Sequence, residues 1–128
     1  MRVYKTKPFA RFQRRERISD RSLCAAVSAA EAGLIDADLG GGLIKQRVAR
    51  QGAGKRGGYR TVIAYRVGAR AYFLLGFAKS ATPNIENDEL LALRQRGAGL
   101  LNASPEALEP MIANDELLEV DCGDSKSN

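Results

Sequence analysis

The clearest patterns lie in the middle of the chain. Residues 43 to 50 alternate, with Lys45, Arg47 and Ala49 on one side and Ile44, Gln46 and Val48 on the other. Residues 59 to 67 alternate as well, Tyr59, Thr61, Ile63, Tyr65 and Val67 against Arg60, Val62, Ala64 and Arg66. A period of two predicts strands. Residues 71 to 78 are nearly all apolar, which predicts a central strand buried on both faces. Gly68-Ala69-Arg70 is short enough for a hairpin, and Gln51 to Gly58 makes a longer one. The three strands then form an antiparallel meander.

Helical signals flank this block. Thr6-Lys7-Pro8 starts a first helix, with Thr6 as N-cap and Phe9 and Phe12 on its inner face. Ser19 or Asp20 caps a second, whose inner stripe is Leu23, Val27, Ala30 and Leu34. Asn84 caps a third, with Leu90 and Leu93 inside and Gly97-Ala98-Gly99 weakening or ending it. Ser104-Pro105 starts a fourth, carrying Leu108, Met111 and Ile112. From Asp121 onward the chain reads as disordered.

With 128 residues the chain suffices for one core. Its net charge of +5 hides an asymmetry. Residues 1–80 hold 17 Lys/Arg and 5 Asp/Glu, a surplus of +12, whereas residues 81–128 hold 3 and 10, a deficit of −7. A basic body implies a polyanionic partner. The acidic tail is either a solvated appendage or a damper folded over the basic face. The arginines of the first helix, Arg11, Arg14, Arg15 and Arg17, read as a solvated face. Cys24 and Cys122 lack metal-ligand spacing and the chain has no histidine, so no zinc site is expected. A disulfide is possible but nothing in the spacing argues for one, and a reducing cytoplasm is the expected compartment. No signal peptide or membrane helix is expected.

Charge concentrates in Leu39 to Arg60, where Lys45, Arg47, Arg50, Lys55, Arg56 and Arg60 are unopposed by any acid. Gly40-Gly41-Gly42 implies unusual dihedrals or close backbone approach, or simply a flexible connector. The second glycine cluster is not a nucleotide loop. A Walker A loop would need glycine at Ala49 and Ser or Thr at Arg56, and a dinucleotide fingerprint would need a helix after it. Carboxylates are too scarce nearby for a two-metal nuclease. Metal-free cleavage of RNA remains: the 2′-OH attacks the adjacent phosphorus while cations stabilise the phosphorane. Lys45 and Arg47 leave one face of a strand roughly 7 Å apart, which suits neighbouring phosphates. Lys79 shares the parity of Phe73, Leu75 and Phe77, and is either a site lysine or a strand-end lysine reaching water. Tyr59, Tyr65 and Tyr72 are candidate phenols or base-stacking platforms, with packing between strands the favoured role for Tyr65 and Tyr72.

In chain order, KTKPFARF (5–12), ISDRSL (18–23), ADLGGGLIKQRVARQGAGKRGGYR (37–60), FLLGFAKS (73–80) and NIENDELLAL (84–93) resemble the RelE/HigB-like toxins of type II toxin–antitoxin modules. The resemblance covers residues 5 to about 99. It implies an α+β fold: two N-terminal helices on a small twisted antiparallel sheet, then a C-terminal helix. Residues 1–99 would be the toxin domain and residues 100–128 an acidic helical extension. It implies a cytoplasmic endoribonuclease that cuts translated mRNA in the ribosomal A site, needs no cofactor and is neutralised by a cognate antitoxin with a helix-turn-helix DNA-binding domain. The superfamily also contains DNA gyrase inhibitors, and a degenerate module that only binds nucleic acid or protein is a further alternative. The resemblance assigns Arg60 and Lys79, with Lys45, to the scissile phosphate, and Arg47, Lys55 and Arg56 to RNA contact; Arg50 and Tyr59 are added as RNA contacts from the charge and aromatic pattern of the same stretch.

Overall fold

Two neighbouring strands, β4 (Tyr59–Arg66) and β5 (Arg70–Ala78), form the middle of the molecule. The structure, a computed structural model, describes residues 1–49, 58–78 and 87–122. On one side β4 pairs antiparallel with β3 (Leu43–Val48), which pairs antiparallel with β2 (Ala37–Gly40). On the other side β5 takes β1 (Arg2–Thr6) in parallel, and β1 takes β6 (Leu117–Val120) antiparallel. Among the described residues this gives a six-stranded mixed sheet in the order β2-β3-β4-β5-β1-β6.

Helices cover both faces. On one, α1 (Lys7–Glu16) and α2 (Asp20–Glu31) bring Phe9, Phe12, Leu23, Val27 and Ala30 onto Ile44, Val48, Tyr59, Ile63 and Phe73. On the other, α3 (Asn87–Leu101) and α4 (Pro105–Ala113) bring Leu100, Leu101 and Leu108 onto Leu43, Val62, Ala64 and Tyr72. The architecture is α+β, as expected, with a sheet wider than the predicted meander. Thr6, Ser19 and Ser104 are the N-caps, accepting from Phe9 N, Ser22 N and Ala107 N. The triple glycine is a turn rather than a loose connector: Gly40, Gly41 and Gly42 all have φ between 64° and 87°, in the left-handed region.

Several expectations are corrected. The strand β1 was not predicted. Its five residues are too few for a clear alternation and run straight into α1, Thr6 ending the strand and capping the helix. Leu34 is 69% exposed because α2 ends at Glu31, so the inner stripe is Leu23, Ala26, Val27 and Ala30. Gly97 does not end α3. A Cβ there would stand 3.1 Å from both the Ala64 Cβ and a Leu43 methyl carbon, so glycine lets the helix lie close on the sheet. The boundary expected between residues 99 and 100 falls inside α3, and residues 117–120 belong to the same sheet as the rest. Within the acidic extension Leu100 and Leu101 pack over β3 and β4, whereas β6 lies at the far edge, four strands or about 19 Å from β3.

Asp121 and Cys122 are ordered in this structure, and Cys122 forms a disulfide with Cys24 on α2, 98 residues away. The chain end beyond β6 is thereby tied to α2 against the first core. The expected asparagine cap of α3, Asn84, lies outside the described residues. Among the described residues no helix is long and apolar enough to cross a membrane.

Two stability measurements follow from these contacts. Reduction of Cys24–Cys122 should lower the unfolding free energy by about 2–4 kcal/mol, since the bond closes a long loop. An unchanged urea midpoint with dithiothreitol would show that the bond does not form or does not restrict the unfolded chain. The second concerns Glu31, whose carboxylate accepts from the Tyr65 hydroxyl and from Gly68 N. The Tyr65 bond, then the Gly68 bond, hold the Glu31 carboxyl below its ordinary 4.5. A depressed carboxylate stabilises above its unfolded pKa and loses that contribution as pH falls through the folded one. Glu31→Gln should therefore lower the urea midpoint at neutral pH, with the deficit shrinking below pH 4.5.

Candidate nucleic-acid interface

The site is built by register. Lys45 and Arg47 lie on the face of β3 that also carries Leu43, towards α3. Arg60 lies on the same face of β4 as Val62 and Ala64, directly opposite Arg47, while Lys45 stands opposite Val62. Phe77 of β5 is the next residue across from Arg60. It reaches this face through a bulge: Ile63 pairs with Phe73 but Val62 pairs with Leu75, leaving Leu74 extra. The parity expected from Phe73 through Phe77 is broken there. Phe73 packs in the α1/α2 core, Leu75 packs in the other, and Phe77 follows Leu75.

The electrostatics of this corner are uneven. Lys45 is half-buried and Arg47 exposed. Residues directly opposite each other have Cα atoms about 4.5–5.5 Å apart, and like charges so placed repel. Asp36 offsets part of the repulsion: its Oδ2 lies 3.2 Å from Arg60 Nε. The Arg60 side chain is only 19% exposed, and its Nη1 is buried without a hydrogen-bond partner among the described residues. A buried donor left unsatisfied costs on the order of 1–3 kcal/mol, more when charged. The guanidinium thus stands beside two further cations, with Asp36 its ion-pair partner among the described residues.

Other arginines have different employment. Arg66, at the far end of β4, donates to Leu101 O at 2.9 Å and Asn102 Oδ1 at 3.0 Å. Arg70 donates to Leu100 O at 3.2 Å and Ala103 O at 2.8 Å. Both satisfy carbonyls at the C-terminus of α3, where a cation also suits the helix dipole. Arg94 donates to Leu39 O at 3.1 Å and packs along Gly40 and Gly41.

Tyr59 does not join the basic corner. It lies on the opposite face, 2% exposed, with its ring edge-on to Phe12 at 5.6 Å and its hydroxyl near Glu16 Oε1 at 3.3 Å. It is not available to stack on a base. Tyr65 and Tyr72 pack as favoured. Tyr72 stacks on Tyr4 at 5.1 Å. Burial, then the Glu31 carboxylate, push the Tyr65 phenol up to about 12, and burial chiefly raises Tyr72. Neither phenol gives up a proton readily near neutral pH. Arg50, Lys55, Arg56 and Lys79 lie outside the described residues. Sequence reasoning missed the part Asp36 plays here, because nothing in the pattern shows that it meets Arg60 across β3.

A mixed sheet with helices on both faces, and an arginine-rich corner left at the β3–β4 end, defines a small α+β protein with an anion-attracting surface. The chain belongs to a known family of this kind: residues 1–120 match the family described as the RelE toxin of the RelE/RelB toxin–antitoxin system. Toxins of RelE/ParE systems generally pair with an antitoxin. No curated protein matches the chain.

The corner can be probed without RNA. Inorganic phosphate at ten times its dissociation constant should stabilise the protein by about 1.4 kcal/mol through mass action. Arg60→Ala should lose most of the corresponding rise in melting temperature. An equal rise in the variant would put the anion elsewhere.

Proposed function

We propose that this RelE-family protein is a ribosome-dependent endoribonuclease that cuts translated mRNA in the A site in the cytoplasm. A cognate antitoxin with a helix-turn-helix domain neutralises it. The observation that carries the reading is the cross-strand Arg47/Arg60 pair, with Lys45 beside it and an Arg60 Nη1 that lacks an acceptor. Repelling cations held this rigidly suit a phosphate track better than they suit a core.

The chemistry follows from the substrate. The RNA 2′-OH is an internal nucleophile, so the protein need only position the strand and stabilise the charge that grows on the phosphorane oxygens. Arg60 is the donor nearest that charge in this reading. Lys45 and Arg47 hold the flanking phosphates. The family resemblance adds Lys79 at the scissile phosphate and Lys55 and Arg56 as RNA contacts, and the charge pattern of the stretch adds Arg50.

Losing one such donor costs roughly 10²–10³ in rate. Expression of the wild type should arrest growth, and Arg60→Ala or Lys79→Ala should relieve the arrest while still binding the antitoxin. Primer extension after brief induction should find cuts within codons. Intact transcripts accompanied by an SOS response would replace this reading with gyrase inhibition, and full toxicity of both variants would remove the site assignment.

A further inference from the structure

Arg60 reaches its place with help from a segment that has little apolar anchorage. Between α2 and β2, Leu34 is 69% and Ile35 38% exposed, so burial does not hold this stretch against the sheet. A buried glutamine does. Gln46, 3% exposed on the α2 side of β3, donates from Nε2 to Ala26 O at 2.9 Å and to Leu34 O at 3.0 Å. Its Oε1 accepts from Asp36 N at 3.1 Å. The backbone carbonyl of Gln46 in turn accepts from the Thr61 hydroxyl at 2.9 Å, which ties it to the strand that carries Arg60. Both amide hydrogens and the amide oxygen of Gln46 are used, so the arrangement is specific to that side chain.

Asp36, fixed in this way through its backbone, presents Oδ2 to Arg60 Nε at 3.2 Å. The contact is made at Nε, and Nη1 is left without an acceptor. A carboxylate that merely neutralised the arginine could take the Nη edge in a two-pronged pair. One that meets Nε restrains the rotation of the planar group without occupying Nη1.

We propose that Asp36, held by Gln46, is the positioning residue of Arg60 and fixes its partly exposed guanidinium at the β3–β4 end, where bound RNA would meet it. This rests on the endoribonuclease reading, and the experiment separates the two. Steady-state cleavage of ribosome-bound mRNA is measured with the full chain for wild type, Arg60→Ala, Asp36→Ala and Asp36→Asn. A misaligned group costs roughly 10²-fold or less in rate. Asp36→Ala should therefore lower kcat by roughly 10- to 100-fold with KM changed by less than about threefold. Asp36→Asn should recover to within about fivefold of wild type, because its amide oxygen keeps a polar group of the same shape beside Nε. The shape of the pH–rate profile should be the same in wild type and Asp36→Asn.

Wild-type kcat in Asp36→Ala, alongside an inactive Arg60→Ala, overturns the positioning role and leaves the site reading standing. An Asp36→Asn as slow as Asp36→Ala, with one limb of the pH profile lost, makes Asp36 a proton acceptor and also overturns it. A fully active Arg60→Ala removes the site reading itself, and the inference with it.

Discussion

Two-sided burial of β4 governs this structure. Val62, Ile63 and Ala64 are fully buried and Tyr65 nearly so, with α1 and α2 below and α3 above. A strand dry on both faces leaves no freedom of register, because a slip by one residue would exchange the two cores. The flanking strands inherit that constraint. Arg47 faces Arg60, and Lys45 faces Val62, because Leu43 and Ile44 must face Ala64 and Ile63. The basic corner is therefore placed by apolar packing several residues away, and its geometry is as rigid as the core.

The same constraint explains how charge is sorted. A count of lysines and arginines cannot tell which cations serve the fold and which are left for a partner. Arg66 and Arg60 share one face of one strand, six residues or about 20 Å apart. Arg66 is spent on carbonyls at the end of α3. At the other end of the strand, Arg60 has Asp36 within ion-pair distance, and among the described residues its buried Nη1 has no partner.

Local signals in the sequence were readable where they are short-range. Thr6, Ser19 and Ser104 cap helices because a hydroxyl three residues ahead of an amide is a local geometry. The three central strands follow from alternation and from the apolar run. What escaped depends on long-range partners. β1 and β6 are too short to announce themselves and exist through each other and β5. Cys24 and Cys122 are brought together by the whole fold. Tyr59 was placed with the cations because it adjoins Arg60, yet neighbours on a strand face opposite ways, and α1 covers its side. The Leu74 bulge reverses parity within a run whose residues are nearly all apolar, so alternation there carried no information. Arg47, Lys45 and Arg60 were legible as one face because their strands do alternate.

The remaining step concerns why so unfavourable an arrangement stands next to so well packed a core. Gly76 shows how tightly the scaffold is set: a Cβ there would meet the Phe12 ring at 2.5 Å, so α1 packs almost onto the backbone of β5. Such packing resists the small shifts by which two opposed arginines could move apart. A looser sheet would relax, turn Arg60 outward, hydrate its Nη1 and lose the repulsion. In this one Arg47 and Arg60 stay opposed across the two strands, and Nη1 stays without a partner among the described residues. The stability of β4 and β5 is thus what keeps Arg47 and Arg60 opposed at the β3–β4 end, with Asp36 beside Nε of Arg60.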